Sequence, residues 1–294
     1  MRSKQEMMSL ILSTAKEDPR IQAVYMNGSR TNPLAEPDPF QDYDIVYIVE
    51  ETQSFQQDPG WIDRFGERLY MQLPDSGIWH TAESGQCYGW LIQFADGNRL
   101  DLHVETLAHA LENGLRESLC QVLLDLQGIL PCLPESSDRS FWVQRPNEEQ
   151  FQASCNEFWW CLNNAAKGFW REEPTSVQEM LSIVLRPELL RMLSWKAGIR
   201  HGFTFSVGKS GKYLKRYCAP SEWEAYLRTY ASCDFPVLRE AVERACRLFD
   251  STAREVAEGL GFAYDEQEAR ASWNDFLHGR ELRSAGALPP EKAE

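Results

Sequence analysis

The sequence predicts an α+β fold, in which an N-terminal domain with a small mixed sheet flanked by helices precedes an all-helical C-terminal domain. Short apolar runs rich in β-branched and aromatic residues, typical of strands, occur in the first half of the chain. In the second half the apolar residues recur every three to four positions, as they do on one face of a helix. A Pro- and Ser-rich stretch, residues 130–138, separates the two patterns. We therefore expect domains at residues 1–135 and 136–294.

The first domain begins with a helix and continues mainly as strands. Residues 4–17 have an apolar stripe at helical spacing, and Asp18-Pro19 ends that helix. The elements that follow are predicted from apolar runs, from clean alternation or from a one-sided apolar pattern, with turn residues between them. They are strands at 21–26, 43–49, 88–94 and 99–105, and helices at 61–70 and 116–127.

The second domain contains helix start and stop signals but no strong strand pattern. Asn147 is a predicted N-cap for a helix that runs to about residue 171. Trp160 and Trp170 of this helix are expected to pack against neighbouring helices. Two capping boxes and a helix-opening proline predict later helices that begin near Ser176, Ser221 and Pro236, and a last helix covers residues 266–278.

Charge and composition limit the classes of partner. The 294-residue chain has a formal net charge of −14, and residues 1–135 hold 21 Asp/Glu against 9 Lys/Arg. Such an acidic half argues against a nucleic-acid partner and suits a cationic one, although solubility alone would also explain it. The chain has no membrane-spanning apolar run, no signal-peptide pattern and no Cys-x-x-Cys pair among its eight cysteines. We expect a monomeric, cytoplasmic protein that binds neither membrane nor nucleic acid.

A Gly-Ser turn followed by two aspartates is the strongest chemical signal. Gly28-Ser29-Arg30 follows the first predicted strand, and Asp42 and Asp44 stand at the start of the second. Because strand side chains repeat with a period of two, both carboxylates point the same way and repel each other unless a cation lies between them. Hard oxygen ligands at this spacing suit Mg²⁺ together with substrate phosphates, which Gly28 and Ser29 would allow to approach closely.

A third carboxylate is predicted on the 99–105 strand. Asp101 and Glu105 both lie on its polar face, so the alternation does not separate them. They stand roughly 13 Å apart, so only one of them can join a site formed by Asp42 and Asp44. Parallel pairing of the two strands would favour Asp101, and antiparallel pairing would favour Glu105.

A basic segment in the second domain is a candidate source of phosphate ligands. Residues 186–216 contain eight Lys/Arg and one acidic residue. Their Gly208-Lys209-Ser210 lacks the glycine spacing and the preceding strand of a P-loop, which excludes that motif. A solvated basic face is the alternative to a phosphate site. The cations that we consider for a triphosphate are Lys167, Lys209 and Lys212.

The order strand, Gly-Ser, about a dozen residues, Asp-x-Asp, strand resembles the signature of the nucleotidyltransferase superfamily. Within it, the chain is similar to the streptomycin-modifying aminoglycoside 6-adenylyltransferases. This similarity extends over nearly the whole chain. The stretches that carry it are 26–33, 40–47, 61–71, 164–171, 205–209 and 214–217.

The resemblance implies a nucleotidyltransferase catalytic domain and a helical domain, with the active site between them. It implies ATP as co-substrate, Mg²⁺ as cofactor and streptomycin as acceptor, with transfer of AMP to a hydroxyl, release of pyrophosphate and antibiotic resistance as the outcome. Asp42, Asp44 and Asp101 would bind metal and act in catalysis, Asp101 because it follows the Asp96-Gly97-Asn98 turn as the family's third carboxylate does. The expected nucleotide contacts are Gly28, Ser29, Arg30, Lys167, Lys209 and Lys212.

Two other functions are compatible with these motifs. A nucleotidyltransferase acting on another aminoglycoside, or on a protein side chain, would carry the same residues. A non-catalytic nucleotide-sensing module could share the fold, but it would have no need of three metal-binding carboxylates.

Overall fold

The computed structural model describes residues 1–75 and 85–286, with the backbone alone for 279–286. The chain divides into two compact units, Met1–Ser140 and Phe141–Glu294. The boundary expected from the sequence, at residue 135, lies in the segment that leads to Ser140.

The first unit is built on a six-stranded mixed sheet in the order β3-β4-β5-β2-β1-β6. β2 and β5 pair in parallel, and the other neighbouring strands pair antiparallel. The predicted mixed sheet is therefore confirmed. The strands are β1 Ile21–Asn27, β2 Tyr43–Val49, β3 Arg68–Gln72, β4 Cys87–Phe94, β5 Arg99–Thr106 and β6 Cys120–Asp125.

Each face of this sheet packs against a different helix. Helix α1, Lys4–Glu17, places Met7 and Ile11 in the larger core with the apolar side chains of β2, β4 and β5. Helix α3, Leu107–Glu112, belongs to a smaller core on the other face, where Ala110 joins residues of β1 and β2. A single helical turn, α2 at Gln53–Gln56, follows β2. The polar side chains of β5 lie on the α3 side, because alternation sends its leucines to the larger core.

Two predicted helices of this unit are wrong. Residues 116–127 contain strand β6, which pairs antiparallel with β1 and completes the hydrogen bonding of that strand's outer edge. Residues 61–70 divide into a 3₁₀ turn at Trp61–Phe65 and the edge strand β3. Both segments are short and contain apolar residues, and such short segments fit a helix or a strand equally well until a sheet edge is available.

The second unit is helical, as predicted: within residues 141–286 every regular element is a helix. Asn147 caps the first of them, since its side chain accepts a hydrogen bond from the Gln150 backbone N–H at 2.8 Å. A π-helical turn, Leu181–Leu185, joins the second and third helices. The helices are α4 Glu148–Trp170, α5 Pro174–Met180, α6 Arg186–His201, α7 Pro220–Leu227, α8 Phe235–Leu260 and α9 Glu266–Gly286.

Two helix starts and two packing predictions in this unit are wrong. Helices α5 and α7 begin at Pro174 and Pro220, before the expected capping boxes, because proline is pre-organised for the first helical position. Trp160 of α4 is 70% exposed and Trp170 is 41% exposed, so neither is buried against a neighbouring helix. None of the helices in the described residues is both long and apolar enough to cross a membrane.

Candidate active site

The parallel pairing of β2 and β5 brings the three predicted aspartates together. Asp44 stands directly beside Asp101 in the register, and Asp42 lies two residues before Asp44. Carboxylate oxygens of the three residues lie within 4.8 Å of one another. Glu105 pairs with Ile48 at the opposite end of the two strands, so the strand direction excludes it from this cluster.

Gly28 makes room for the Asp44 carboxylate. Its φ is +76°, a conformation that favours glycine, and a Cβ atom built there would overlap the Asp44 Oδ2 atom. Ser29 and Arg30 follow in a 3₁₀ turn that ends at Thr31. The hydroxyl of Thr31 donates a hydrogen bond to the Gly28 carbonyl at 2.9 Å, which fixes this turn against the end of β1. Packing against Asp44 therefore requires glycine at this position, and the approach of a phosphate to Gly28 stays a prediction.

Burial and mutual repulsion perturb the carboxylates. Burial is the main cause that raises the pKa of Asp44 to about 7, and the nearby Asp42 and Asp101 charges raise it further. The protonated form of Asp44 is therefore favoured far more than in an exposed aspartate. A divalent cation between these oxygens would remove the cause of the repulsion, as expected of a metal site.

Arg99 is a residue of this cluster that the sequence reasoning did not find. Its guanidinium donates to both oxygens of Asp101, with Nε and Nη2 at 2.8 and 2.6 Å, and its Nε lies 3.7 Å from Asp42 Oδ2. These carboxylates raise the pKa of Arg99. The signal was available in the sequence, because Arg99 and Asp101 are two apart on a strand and so face the same side.

Arg30 supports the aspartates from the backbone side. Its Nε and Nη2 donate to the carbonyls of Asp42 and Gln41, both at 2.7 Å, and its guanidinium stacks over the Tyr43 ring at 3.7 Å. These contacts hold the end of the 32–42 loop in place. They give Arg30 a positioning role for Asp42, and its predicted contact with a nucleotide stays a prediction.

Asn27 is a further polar group of the site that the sequence did not reveal. It is the register partner of Asp44 on β1, so the two side chains lie on the same sheet face. Its Nδ2 donates to the Gly114 carbonyl at 3.4 Å, whereas its buried Oδ1 has no hydrogen-bond partner in the part of the chain that the structure describes. A buried oxygen without a partner is costly, which makes it a suitable acceptor for a bound group.

The predicted cations of the second unit divide into two groups. Four of the eight in residues 186–216 serve the helical core: Arg186 donates to the Thr229 carbonyl at 2.9 Å, and Arg191, Lys196 and Arg200 pair with glutamates. Most of α6 is therefore not a phosphate-binding face. The predicted nucleotide contacts Lys167, Lys209 and Lys212 are exposed and form no ion pair among the described residues.

A cleft of the first unit lies beside the Ser29–Thr31 turn. It has a volume of about 670 Å³ and is lined by Thr31, by β6 and by the 130–136 segment. None of the three aspartates lines it, and one of its acidic groups, Asp125, accepts hydrogen bonds from the backbone N–H groups of the following turn. We place the candidate site at the aspartates, because their carboxylate oxygens converge on one point whereas no such group of described residues lines the cleft.

The donor set fits a hard divalent cation. All three side chains offer carboxylate oxygen, and Gly28 lies directly against the Asp44 carboxylate. Ions such as Mg²⁺ bind through one or two carboxylates plus substrate phosphates. The arrangement can therefore hold such a cation at the start of β2 and β5.

Comparisons with known proteins agree with this chemistry. A family model described as streptomycin adenylyltransferase matches residues 1–279. A protein from Bacillus subtilis (strain 168) named aminoglycoside 6-adenylyltransferase is 36% identical over 91% of this chain and 95% of its own length. A protein of the same name from Campylobacter jejuni is also 36% identical, over 92% of this chain and 94% of its own length. One from Staphylococcus aureus is 30% identical over 87% of this chain and 92% of its own.

A crystal structure of an aminoglycoside 6-adenyltransferase from Bacillus subtilis matches 97% of this chain and 98% of its own, with 32% identity and a TM-score of 0.43. The family assignment rests on the sequence matches, which span both units. The chain belongs to the streptomycin adenylyltransferase family, and it is an adenylyltransferase, an enzyme of the nucleotidyltransferase class.

Proposed function

We propose that this protein transfers AMP from ATP to a hydroxyl group of streptomycin, in a reaction that depends on Mg²⁺ and gives resistance to the antibiotic. The observation that carries the proposal is the cluster of Asp42, Asp44 and Asp101 beside the Gly28 turn. Three relatives named aminoglycoside 6-adenylyltransferase support an aminoglycoside as the acceptor.

The aspartates are the proposed metal ligands. Asp42 and Asp44 would hold Mg²⁺ against the triphosphate, and Asp101 would hold a second ion, accept a proton, or do both. When bound, Mg²⁺ neutralises charge on the triphosphate oxygens. Ser29 and the Gly28 backbone would hold the terminal phosphates through donated hydrogen bonds.

The proposed reaction is an in-line displacement at phosphorus. A lone pair of the acceptor hydroxyl attacks the α-phosphorus of ATP, and the new O–P bond forms as the bond to the α–β bridging oxygen breaks. Pyrophosphate leaves with that electron pair, and the hydroxyl proton passes to Asp101. The guanidinium of Arg99 holds the Asp101 carboxylate in a fixed orientation beforehand through two donated hydrogen bonds. Most of the acceleration is expected from positioning and from charge stabilisation.

Charge supports streptomycin as the acceptor. The molecule carries two guanidinium groups and an amine, and residues 1–135 have a net charge of −12. Guanidinium groups pair with carboxylates through two parallel hydrogen bonds, which makes them strong and directional ligands for an acidic surface. An aminoglycoside that has amines but no guanidinium groups is the second candidate acceptor.

The test is an incubation with α-labelled ATP, Mg²⁺ and one acceptor at a time. We expect label on streptomycin with one pyrophosphate released per AMP transferred, and no transfer by Asp42→Asn. Glu36→Gln, a change at an exposed carboxylate of the same loop, is the matched control and should keep full activity. Label on an acceptor without guanidinium groups, and none on streptomycin, would show that the acceptor is wrong. Absence of transfer to any acceptor would refute the proposal.

A further inference from the structure

A second cluster of metal-ligating side chains lies in the first unit, apart from the aspartates. It consists of Cys87 from β4, Glu105 from β5 and His109 from α3, whose donor atoms lie within 4.8 Å of one another. Cys87 and Glu105 are direct register partners in the β4–β5 ladder. Asp101 and Glu105 are four positions apart, which is roughly 13 Å along the strand, so the two clusters are separate sites on one sheet face.

The carboxylate of this cluster is buried and held from two sides. Glu105 is 4% exposed. Its Oε1 accepts a hydrogen bond from the Tyr25 hydroxyl, and its Oε2 lies 2.5 Å from His109 Nδ1. His109 reaches it from the first turn of α3, which begins directly after β5 because Thr106 caps the helix. Three elements of the fold, β1, β5 and α3, thus converge on one buried carboxyl group.

The composition of the cluster resembles a cysteine nucleophile with its base, but the surroundings of the Cys87 thiol disfavour the thiolate that this role needs. Burial, followed by the charge of Glu105, raises the pKa of the Cys87 thiol to about 12. A reactive cysteine needs the opposite environment, one that favours the thiolate. A structural hydrogen-bond network of Tyr25, Glu105 and His109 is the other alternative. It does not explain why the Cys87 thiol lies opposite the Glu105 carboxylate.

We propose that Cys87, Glu105 and His109 form a second metal site, one that binds a transition-metal ion with Zn²⁺ preferred. Sulfur, imidazole nitrogen and carboxylate oxygen are the donors that Zn²⁺ takes in proteins, and three such ligands leave a fourth position for water. The aspartate cluster offers oxygen alone and suits Mg²⁺, so the two sites select different ions by donor type.

The proposed ion ties β4, β5 and α3 together. Binding releases the thiol proton of Cys87 to solvent and leaves the imidazole neutral. The ion replaces a short contact between Glu105 and His109 with coordination to both, and the Tyr25 hydroxyl remains as the outer hydrogen bond that orients the carboxylate. Its effect is therefore expected on the stability of the first unit.

Cobalt is the probe for this site, because Co²⁺ bound to a thiolate gives a charge-transfer band in the near ultraviolet. The metal-free full-length protein is titrated with CoCl₂. We expect a thiolate band that saturates at one equivalent, disappears when Zn²⁺ is added and is missing in Cys87→Ser. The band should remain in Cys132→Ser and Cys233→Ser, which change exposed cysteines, and in Asp42→Asn, which changes the other cluster. No thiolate band in the unaltered protein, or a band that persists in Cys87→Ser, would overturn the proposal.

A second measurement uses the unaltered chain, so it does not depend on whether a variant folds. One equivalent of Zn²⁺ should slow the alkylation of Cys87, followed by mass spectrometry, and leave that of Cys132 and Cys233 unchanged. Tyr25→Phe removes only the outer hydrogen bond and should weaken Zn²⁺ binding by about 10- to 100-fold. Alkylation of Cys87 at the same rate with and without Zn²⁺ would contradict the site.

Discussion

Replacing Asp44 with asparagine should remove a pH dependence from the stability of the first unit. The pKa of Asp44 is raised from 3.8 to about 7 in the folded protein, mainly by burial and then by its two neighbouring carboxylates. The folded state therefore holds a proton on Asp44 that the unfolded state has lost, and stability falls as pH rises between these two values. The contribution is fully present below about pH 4 and is lost as pH passes about 7.

The size of the effect follows from the shift. About three pKa units correspond to a total loss on the order of 4 kcal/mol, of which about 3 kcal/mol falls between pH 5 and pH 8. The asparagine side chain cannot ionise, so the variant should not lose this stability. Between pH 5 and pH 8 the free energy of unfolding of Asp44→Asn should therefore rise relative to that of the unaltered protein, by up to about 3 kcal/mol. Saturating Mg²⁺ should stabilise the unaltered protein more at pH 8 than at pH 5, because it binds the deprotonated carboxylates.

Hydrogen exchange of peptides from β2 is the readout, since it reports the opening of the first unit separately from the helical one. The exchange rates are corrected for the intrinsic effect of pH and compared between variant and parent. Glu36→Gln serves as the control, because it removes an exposed carboxylate from the loop before β2. If Asp44→Asn and its parent show parallel stability curves from pH 5 to pH 8, the raised pKa assigned to Asp44 is absent and the reasoning fails.

Four other predictions test the site. Asp101→Ala should lower the rate of AMP transfer by about 10²- to 10⁴-fold. Glu105→Ala should instead lower the melting temperature and keep transfer in the folded fraction. The reverse pattern would contradict the assignment of Asp101 as the third carboxylate of the site. Arg99→Ala should tighten Mg²⁺ binding by roughly 5- to 10-fold, measured by calorimetry. The Arg99 guanidinium competes with the ion for Asp101 and Asp42, and its removal is worth about 1 kcal/mol. An unchanged affinity for Mg²⁺ would mean that the guanidinium does not compete. Gly28→Ala should abolish transfer and lower the free energy of unfolding by roughly 1–3 kcal/mol, since its Cβ would displace the Asp44 carboxylate at a positive φ; a fully active variant would refute that packing. At least one of three single alanine substitutions should raise the Michaelis constant for ATP, namely those of Lys167, Lys209 and Lys212. If none of the three variants has a raised Michaelis constant, these lysines lie on a solvated basic face.

The sequence by itself determined the chemistry of the aspartate cluster. Strand periodicity places Asp42 and Asp44 on one side without reference to any other part of the chain, and it places Asp101 on the polar side of its own strand. The starts of α4 and α8 could also be predicted, because Asn147 and Pro236 each act on the helix that they begin. These inferences succeed because the interactions involved are local.

The tertiary structure decided which residues meet. Both Asp101 and Glu105 satisfied the pattern, and only the parallel register of β2 and β5 selects the first. The antiparallel register of β4 and β5, a different strand pair, places Glu105 beside Cys87.

The structures of strand β6 and Trp160 also depend on residues that are distant in the chain. β6 is a strand because β1 offers an unpaired edge, although its sequence also fits a helix. Trp160 is exposed although tryptophan usually packs inside, because the helix stripe that faces the core is filled by other residues. Hydrogen bonding between strands and the filling of a core depend on partners distant in the chain, so no window of sequence contains the information that fixes them.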